Sequence, residues 1–128
     1  MRFLPTQRWI DEVCRGISGL NKAPPELSII AVDAPQELGG EITLYFKFEA
    51  NRCAEARLLH GRHDAQYVLS ARYEDLLRIM EGRLSPFAAV PLGKLRVERG
   101  DLGQLADYMP LALEIVEVAR SVARSQTP

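Results

Sequence analysis

Cysteine is scarce: Cys14 and Cys53 are the two in 128 residues. Neither has a second cysteine nearby, which excludes a disulfide framework and a cysteine-based metal site. They read as buried or half-buried thiols in a reducing compartment. Histidine is equally sparse. His60 and His63, in HGRH, would need a third ligand to hold a metal, and Asp64 is the sole acid beside them. The pair falls in a predicted turn, so it reads as a solvated hairpin loop, and neither metal nor cofactor is expected. Excess charge is missing too. A formal net charge of −1 argues against a nucleic-acid binder that works by neutralising phosphates.

Long apolar runs are absent. No stretch of 18 apolar residues exists, so no transmembrane helix is expected, and the opening residues pass at once into a charged amphipathic segment rather than a signal peptide. The ending Ser125-Gln126-Thr127-Pro128 is no peroxisomal address. A bacterial-type cytoplasmic protein is the simplest expectation. Catalytic patterns are missing as well. Ser70, Ser85 and the thiols have no G-x-S-x-G elbow or recognisable base, and Gly39-Gly40 and Gly100–Gly103 lack the glycine fingerprint of a nucleotide site. The acid pairs Asp11-Glu12 and Glu74-Asp75 suit helix starts or the surface. No enzyme is expected.

What is present is a single domain over residues 1–128, 47% hydrophobic and 26% charged, long enough for a core of its own. Trp9, Ile10, Val13, Cys14 and Ile17 form one helical stripe over residues 6–18, with Thr6 as cap and Gly19 as stop. Its polar side mixes Arg8, Asp11, Glu12 and Arg15, which argues against a helix lying on anionic lipid. Residues 27–33 form a short strand. The clearest strand is 42–49, where Ile42, Leu44, Phe46 and Phe48 alternate with Thr43, Tyr45, Lys47 and Glu49; that period buries one face and wets the other. Residues 54–60 and 66–71 follow as strands with short links, predicting a three-stranded meander. Residues 73–82 form a helix, Pro86 opens a second helical turn to residue 91, and residues 94–99 alternate as a late strand. Gly100-Asp101 is a turn and cap. A last helix from about residue 102 to 124 is broken or kinked near Pro110.

These elements predict an α+β fold: a roughly five-stranded, mostly antiparallel sheet covered on one face by helices. The last helix has an unusually wide apolar arc, in which Leu111, Leu113, Ile115, Val116, Val118 and Val122 leave only Glu114, Glu117, Ser121 and Arg124 as a polar strip. Either it is buried on two sides, or it faces a cavity or a partner. The arginines at 52, 57, 62 and 72 read as solvated strand and loop positions; the sharper reading gathers them as an anion site.

The stretch YVLSARYEDLLRIMEGRLSPFAAV, followed by LGKLRVERGDLGQL, resembles the sterol carrier protein 2 domain family. Gly82, Leu84, Pro86, Gly93, Lys94, Leu95, Val97, Gly100 and Asp101 match the family pattern position by position. Pro91 departs from it, which bears on the mouth of any tunnel. The resemblance implies an apolar tunnel between sheet and helices, and binding or transfer of sterols, fatty acids, acyl-CoA or phospholipids without chemistry. On the element assignment above, the tunnel wall takes Phe46 and Phe48 from the clearest strand and Leu69 from the next. The helices give it Met80, then Phe87 and Val90. Leu95 and Val97 come from the late strand, and Leu105, Met109, Leu113 and Val116 from the last helix. An acyl chain of roughly sixteen carbons would gain on the order of 12 kcal/mol gross at about 0.8 kcal/mol per methylene. Association costs remove much of it. The expected partner is therefore a lipid or sterol, with no nucleic acid; transient membrane contact and a homodimer are both compatible with the sequence. The rival reading is an interaction or dimerisation module that uses the apolar last helix and carries no lipid.

Overall fold

The computed structural model describes residues 5–17 and 22–126. Five strands, β1 (Glu26–Val32), β2 (Ile42–Glu49), β3 (Arg52–His60), β4 (Tyr67–Arg72) and β5 (Arg96–Arg99), lie in the order β3-β2-β1-β4-β5. Four α-helices accompany them among the described residues: α1 (Gln7–Gly16), α2 (Tyr73–Met80), α3 (Pro86–Ala89) and α4 (Leu105–Gln126). The α+β class and the sheet of five strands are as the sequence predicts.

The predicted meander is not. β4 leaves β3 and pairs parallel with β1, Leu27 opposite Tyr67 and Ile29 opposite Leu69, while β1–β2, β2–β3 and β4–β5 are antiparallel. The link between β3 and β4 must therefore pass two intervening strands. Three strand spacings are about 14 Å, and six extended residues reach about 20 Å, so residues 61–66 suffice. They cross the rear of the sheet. Thr43 Oγ1 donates to the Gly61 carbonyl at 2.6 Å and accepts from the His63 amide at 3.1 Å. Ala65 packs with Ile30, Tyr45 and Val68, and the His63 ring stands edge-on to Tyr45 at 4.9 Å.

That crossing corrects two expectations. HGRH is not a hairpin loop, and the supposedly wet face of β2 is half covered: Thr43 and Tyr45 are buried, and only Lys47 and Glu49 stay exposed. The two histidines serve different neighbours, since His60 Nδ1 meets the Leu38 carbonyl at 3.0 Å.

α1 is capped as predicted, Thr6 Oγ1 accepting from the Trp9 amide at 3.1 Å. Its predicted last residue, Ser18, and the stop at Gly19 lie outside the described residues. Trp9, Ile10 and Val13 are buried. Gln7 fastens the helix to the edge strand β3: its side-chain amide donates to the Ala56 carbonyl at 3.0 Å and accepts from the Leu58 amide at 2.9 Å, so backbone groups on an open edge are satisfied. The cysteines correct the reading as free thiols. Cys14 on α1 and Cys53 on β3, 39 residues apart, are disulfide-bonded with Cα atoms at 5.3 Å. Helix α1 lying along the edge strand brings together two residues that spacing alone keeps apart.

α4 continues through Pro110 as one helix rather than breaking there; the proline lies on its exposed side. The wide apolar arc is accounted for by two neighbours. Leu111, Ile115 and Ala119 are buried toward the core, and Val118 packs so closely on Gly16 of α1 that a Cβ there would collide with it. Leu113 is the exception. It is 47% exposed, because the burial phase of α4 runs through 111, 115 and 119 and leaves 113, 117 and 121 outward.

Candidate functional site

Between the front face of the sheet and helices α2 and α4 lies an apolar cavity of about 70 Å³. Strand alternation builds its floor. Leu27 and Ile29 of β1, Leu44 and Phe46 of β2, and Tyr67 and Leu69 of β4 all point to the helix side, and Leu95 closes the β5 end. Helical spacing builds the roof: Leu76, Ile79 and Met80 fall on one side of α2, and Tyr108, Leu111, Ala112, Ile115 and Val116 on one side of α4. Trp9, Pro24 and Pro86 complete the wall.

Among the described residues, no charged side chain lines this space. Its hydroxyls come from two tyrosines, whose rings meet edge to face at 5.3 Å. Tyr67 donates to the Asp101 carbonyl at 3.2 Å, and burial pushes its pKa up, so the phenol stays protonated. At 10–15 Å³ for each water-sized group, the cavity has room for about five such groups. A sixteen-carbon chain is larger than that. Taking one in would require the wall to yield.

Of the residues expected in the wall, Phe46, Leu69, Met80, Leu95 and Val116 line this cavity. Phe48 is buried on the same face of β2, its ring stacked on Phe46 at 6.2 Å, but stands outside the cavity. Val90 and Val97 pack at the core's edge, and Met109 is buried away from the cavity. The Leu105 side chain lies outside the described residues. Phe87 and Leu113 point outward: Phe87 is 54% exposed because α3 is a single turn that turns Pro86 and Ala89 inward, and Leu113 follows the α4 phase given above. The sequence reading missed Trp9, Leu27, Ile29, Leu44, Tyr67 and Leu111 among others. The alternation of β2 already held the signal for Leu44. Leu27, Ile29 and Tyr67 needed the parallel β1–β4 register, which no local pattern carries.

The arginines at 52, 57, 62 and 72 do not gather. Arg57 pairs with Glu55 at 2.9 Å, Arg62 with Glu98 at 3.1 Å, and Arg72 with Asp33 at 3.5 Å, while Arg52 opens β3 at the far end from Arg62.

This arrangement has known counterparts. The model of the SCP-2 sterol transfer family matches residues 26–112. The chain belongs to that family. Among curated proteins none matches the sequence. Among solved structures, a crystal structure of sterol carrier protein 2 superposes with a TM-score of 0.76 at 25% identity, covering 90% of this chain and 95% of that one. A conserved hypothetical protein of Thermus thermophilus, described as a candidate sterol carrier protein, superposes with a TM-score of 0.78 at 26% identity, covering 94% and 90%.

Within the sterol carrier protein 2 fold, the Gly-Asp pair that closes the sequence motif has a physical reason here. Gly100 has φ +116, and a Cβ at that position would run into the Tyr67 ring. Only glycine lets the chain turn over the tyrosine that floors the cavity. Asp101 then accepts from the Gly103 amide at 2.8 Å through Oδ1 and from Tyr67 through its carbonyl, fixing the approach to α4.

Proposed function

We propose that the protein holds the apolar part of a lipid in the front cavity and releases it unchanged. The supporting observation is the wall itself: eighteen side chains without one charge, closed by a helix whose seat on the sheet is apolar. The family's general role, lipid binding or transfer, agrees with this reading. Sterols, fatty acids and acyl-CoA are the ligand class, because an apolar wall selects by size and shape rather than by hydrogen bonds. The same wall supports a reading without chemistry. Proton transfer needs a titratable group poised near the working pH, and the groups offered are phenols, of which Tyr67 is held protonated. The rival reading as a dimerising module is not favoured, since the apolar arc of α4 is covered by α1 and the sheet and leaves Leu113 as the large exposed apolar residue among the helix's described side chains.

The test is displacement of an environment-sensitive fluorescent fatty acid, in vesicle-free buffer. Wild type should bind it saturably and release it to sterol or acyl competitors. Ala112→Leu should fill part of the cavity from α4, lower affinity by about tenfold or more, and leave the melting temperature unchanged or raised, because the added methylenes enter existing space. No saturable binding of any acyl chain, sterol or isoprenoid by wild type would sink the reading.

A further inference from the structure

Residues 82–97 contain Arg83, Lys94 and Arg96 and no acid, in a chain whose overall charge is −1. The same segment carries two of the three large hydrophobics exposed among the described residues, Phe87 at 54% and Leu92 at 62%. It is also firmly anchored on its inner side. Ala89 and Leu95 are buried in the core, and Pro86 touches the cavity. Exposure of Phe87 and Leu92 is thus a property of a seated element. Core burial of Ala89 dictates which side of a one-turn helix faces out.

Directly after Leu92, residues Gly93, Lys94 and Arg96 line a second pocket of about 180 Å³, completed by Val32, Ser70, Ala71, Arg72 and Asp75. The pocket's acid is already matched, Asp75 lying 3.6 Å from Arg78, and its Arg72 is paired with Asp33 at 3.5 Å. Lys94 and Arg96 have no carboxylate partner among the described residues. The pocket lies apart from the lipid cavity. It sits at the end of the sheet where β1 and β4 finish, at Val32 and Arg72, and β5 begins, at Arg96, and it shares no lining residue with the cavity.

We propose that residues 82–97 dock the protein on a bilayer bearing anionic phospholipid. Phe87 and Leu92 enter the apolar layer, while Lys94 and Arg96 hold a headgroup phosphate at their pocket. Charge selects this occupant. Two unmatched cations beside two exposed apolar side chains suit a surface with anionic groups over hydrocarbon, where each cation and each buried methylene adds to binding. The pocket can take a phosphate from a lipid or free in solution, and the comparison of vesicles with inorganic phosphate separates the two. Because Pro86 belongs to both the segment and the cavity wall, docking here sets the cavity beside the membrane. The inference goes beyond the cavity reading and can fail independently of it.

The test is co-sedimentation with phosphatidylcholine vesicles prepared with and without phosphatidylglycerol. Wild type should bind the anionic vesicles, bind the neutral ones poorly, and be released by about 0.5 M salt. Lys94→Gln with Arg96→Gln should bind anionic vesicles about thirty-fold more weakly. Phe87→Ser with Leu92→Ser should lose about tenfold or more at fixed lipid composition. Arg52→Gln with Arg57→Gln, the same charge removed from the β2–β3 hairpin, should bind as wild type. Every altered residue is half-buried or exposed, so melting temperatures should hold, and fatty-acid displacement without vesicles should be unchanged. Wild type ignoring anionic vesicles, binding neutral ones as well, or losing as much with the hairpin pair as with Lys94 and Arg96 would overturn the proposal. So would competition by inorganic phosphate alone at the vesicles' own lipid-phosphate concentration, which would mean the pocket reads free phosphate rather than a membrane.

Discussion

The two faces of the sheet are buried by different means. On the front, α1, α2 and α4 stand on strand positions such as Ile29, Leu44, Phe46 and Leu69, with hydrocarbon against hydrocarbon and a gap left between. On the rear, the chain's own six-residue crossing covers Ile30, Thr43, Tyr45 and Val68, and the hydrogen bonds of Thr43 with Gly61 and His63 fix it. Arg99 with Asp64 and Arg62 with Glu98 tie the crossing to β5. Although α1 is tied to β3 by Gln7 and the disulfide, the apolar seats of α2 and α4 can part and re-close around a guest. A short crossing held by several directional bonds cannot. The difference assigns movement to the front and constancy to the rear.

The largest effect should come from the disulfide, which fastens α1 and through it the front layer. Closing a loop of 39 residues stabilises by about 4 kcal/mol in the chain-entropy account. Reduction, or Cys53→Ser, should lower the urea-derived unfolding free energy by roughly that amount. Hydrogen exchange should locate the loss: amides of α1 and α4 should exchange faster after reduction, while those of β1, β2 and β4 change less. Equal acceleration on both faces would erase the comparison.

How much of this was legible in the sequence follows the same division. The front was readable in part, where its signals are local: the period of two in β2 placed Phe46, and the spacing on α2 placed Met80, while Leu27, Ile29 and Tyr67 depended on the β1–β4 register. Errors there are errors of phase, as with Leu113, whose neighbours in sequence are apolar whichever way the helix rolls. The rear was not readable. A six-residue link that contains Gly61 fits a hairpin as well as a crossing, and nothing in Thr43 or Tyr45 announces that a loop will cover them. The Cys14–Cys53 bond was hidden for the same reason, since α1's place along β3 is a tertiary fact. The glycine-rich motif bridges the two cases: Gly100 was visible, but its purpose, clearance for Tyr67, was not.

A smaller effect should distinguish packing density on the two sides. Ala65 is buried where the crossing meets the sheet. Ala65→Leu should overpack it and cost about 1–3 kcal/mol by urea denaturation, whereas the same enlargement at Ala112, on the cavity wall, should cost nothing. Equal costs would mean the front is packed as tightly as the rear.

The smallest effect concerns a single hydroxyl. Burial, with the hydrogen bond to Glu26 and its negative charge, raises the pKa of Tyr45 to about 12 from an ordinary value near 10. The proton is therefore held more tightly in the fold than in the unfolded chain. Stability from this group is fully present below pH 10; between pH 10 and 12 the unfolded chain gives up its proton first, and the contribution is lost. Tyr45→Phe removes the group altogether, along with one hydrogen bond worth about 1 kcal/mol net. Urea curves of the two proteins should differ by about that much from roughly pH 7 to 9 and draw together as pH rises past about 10. Tyr67 titrates in both proteins and cancels in the difference. A constant gap across the range would mean that the rear crossing, and not the Glu26 bond, keeps Tyr45 in place.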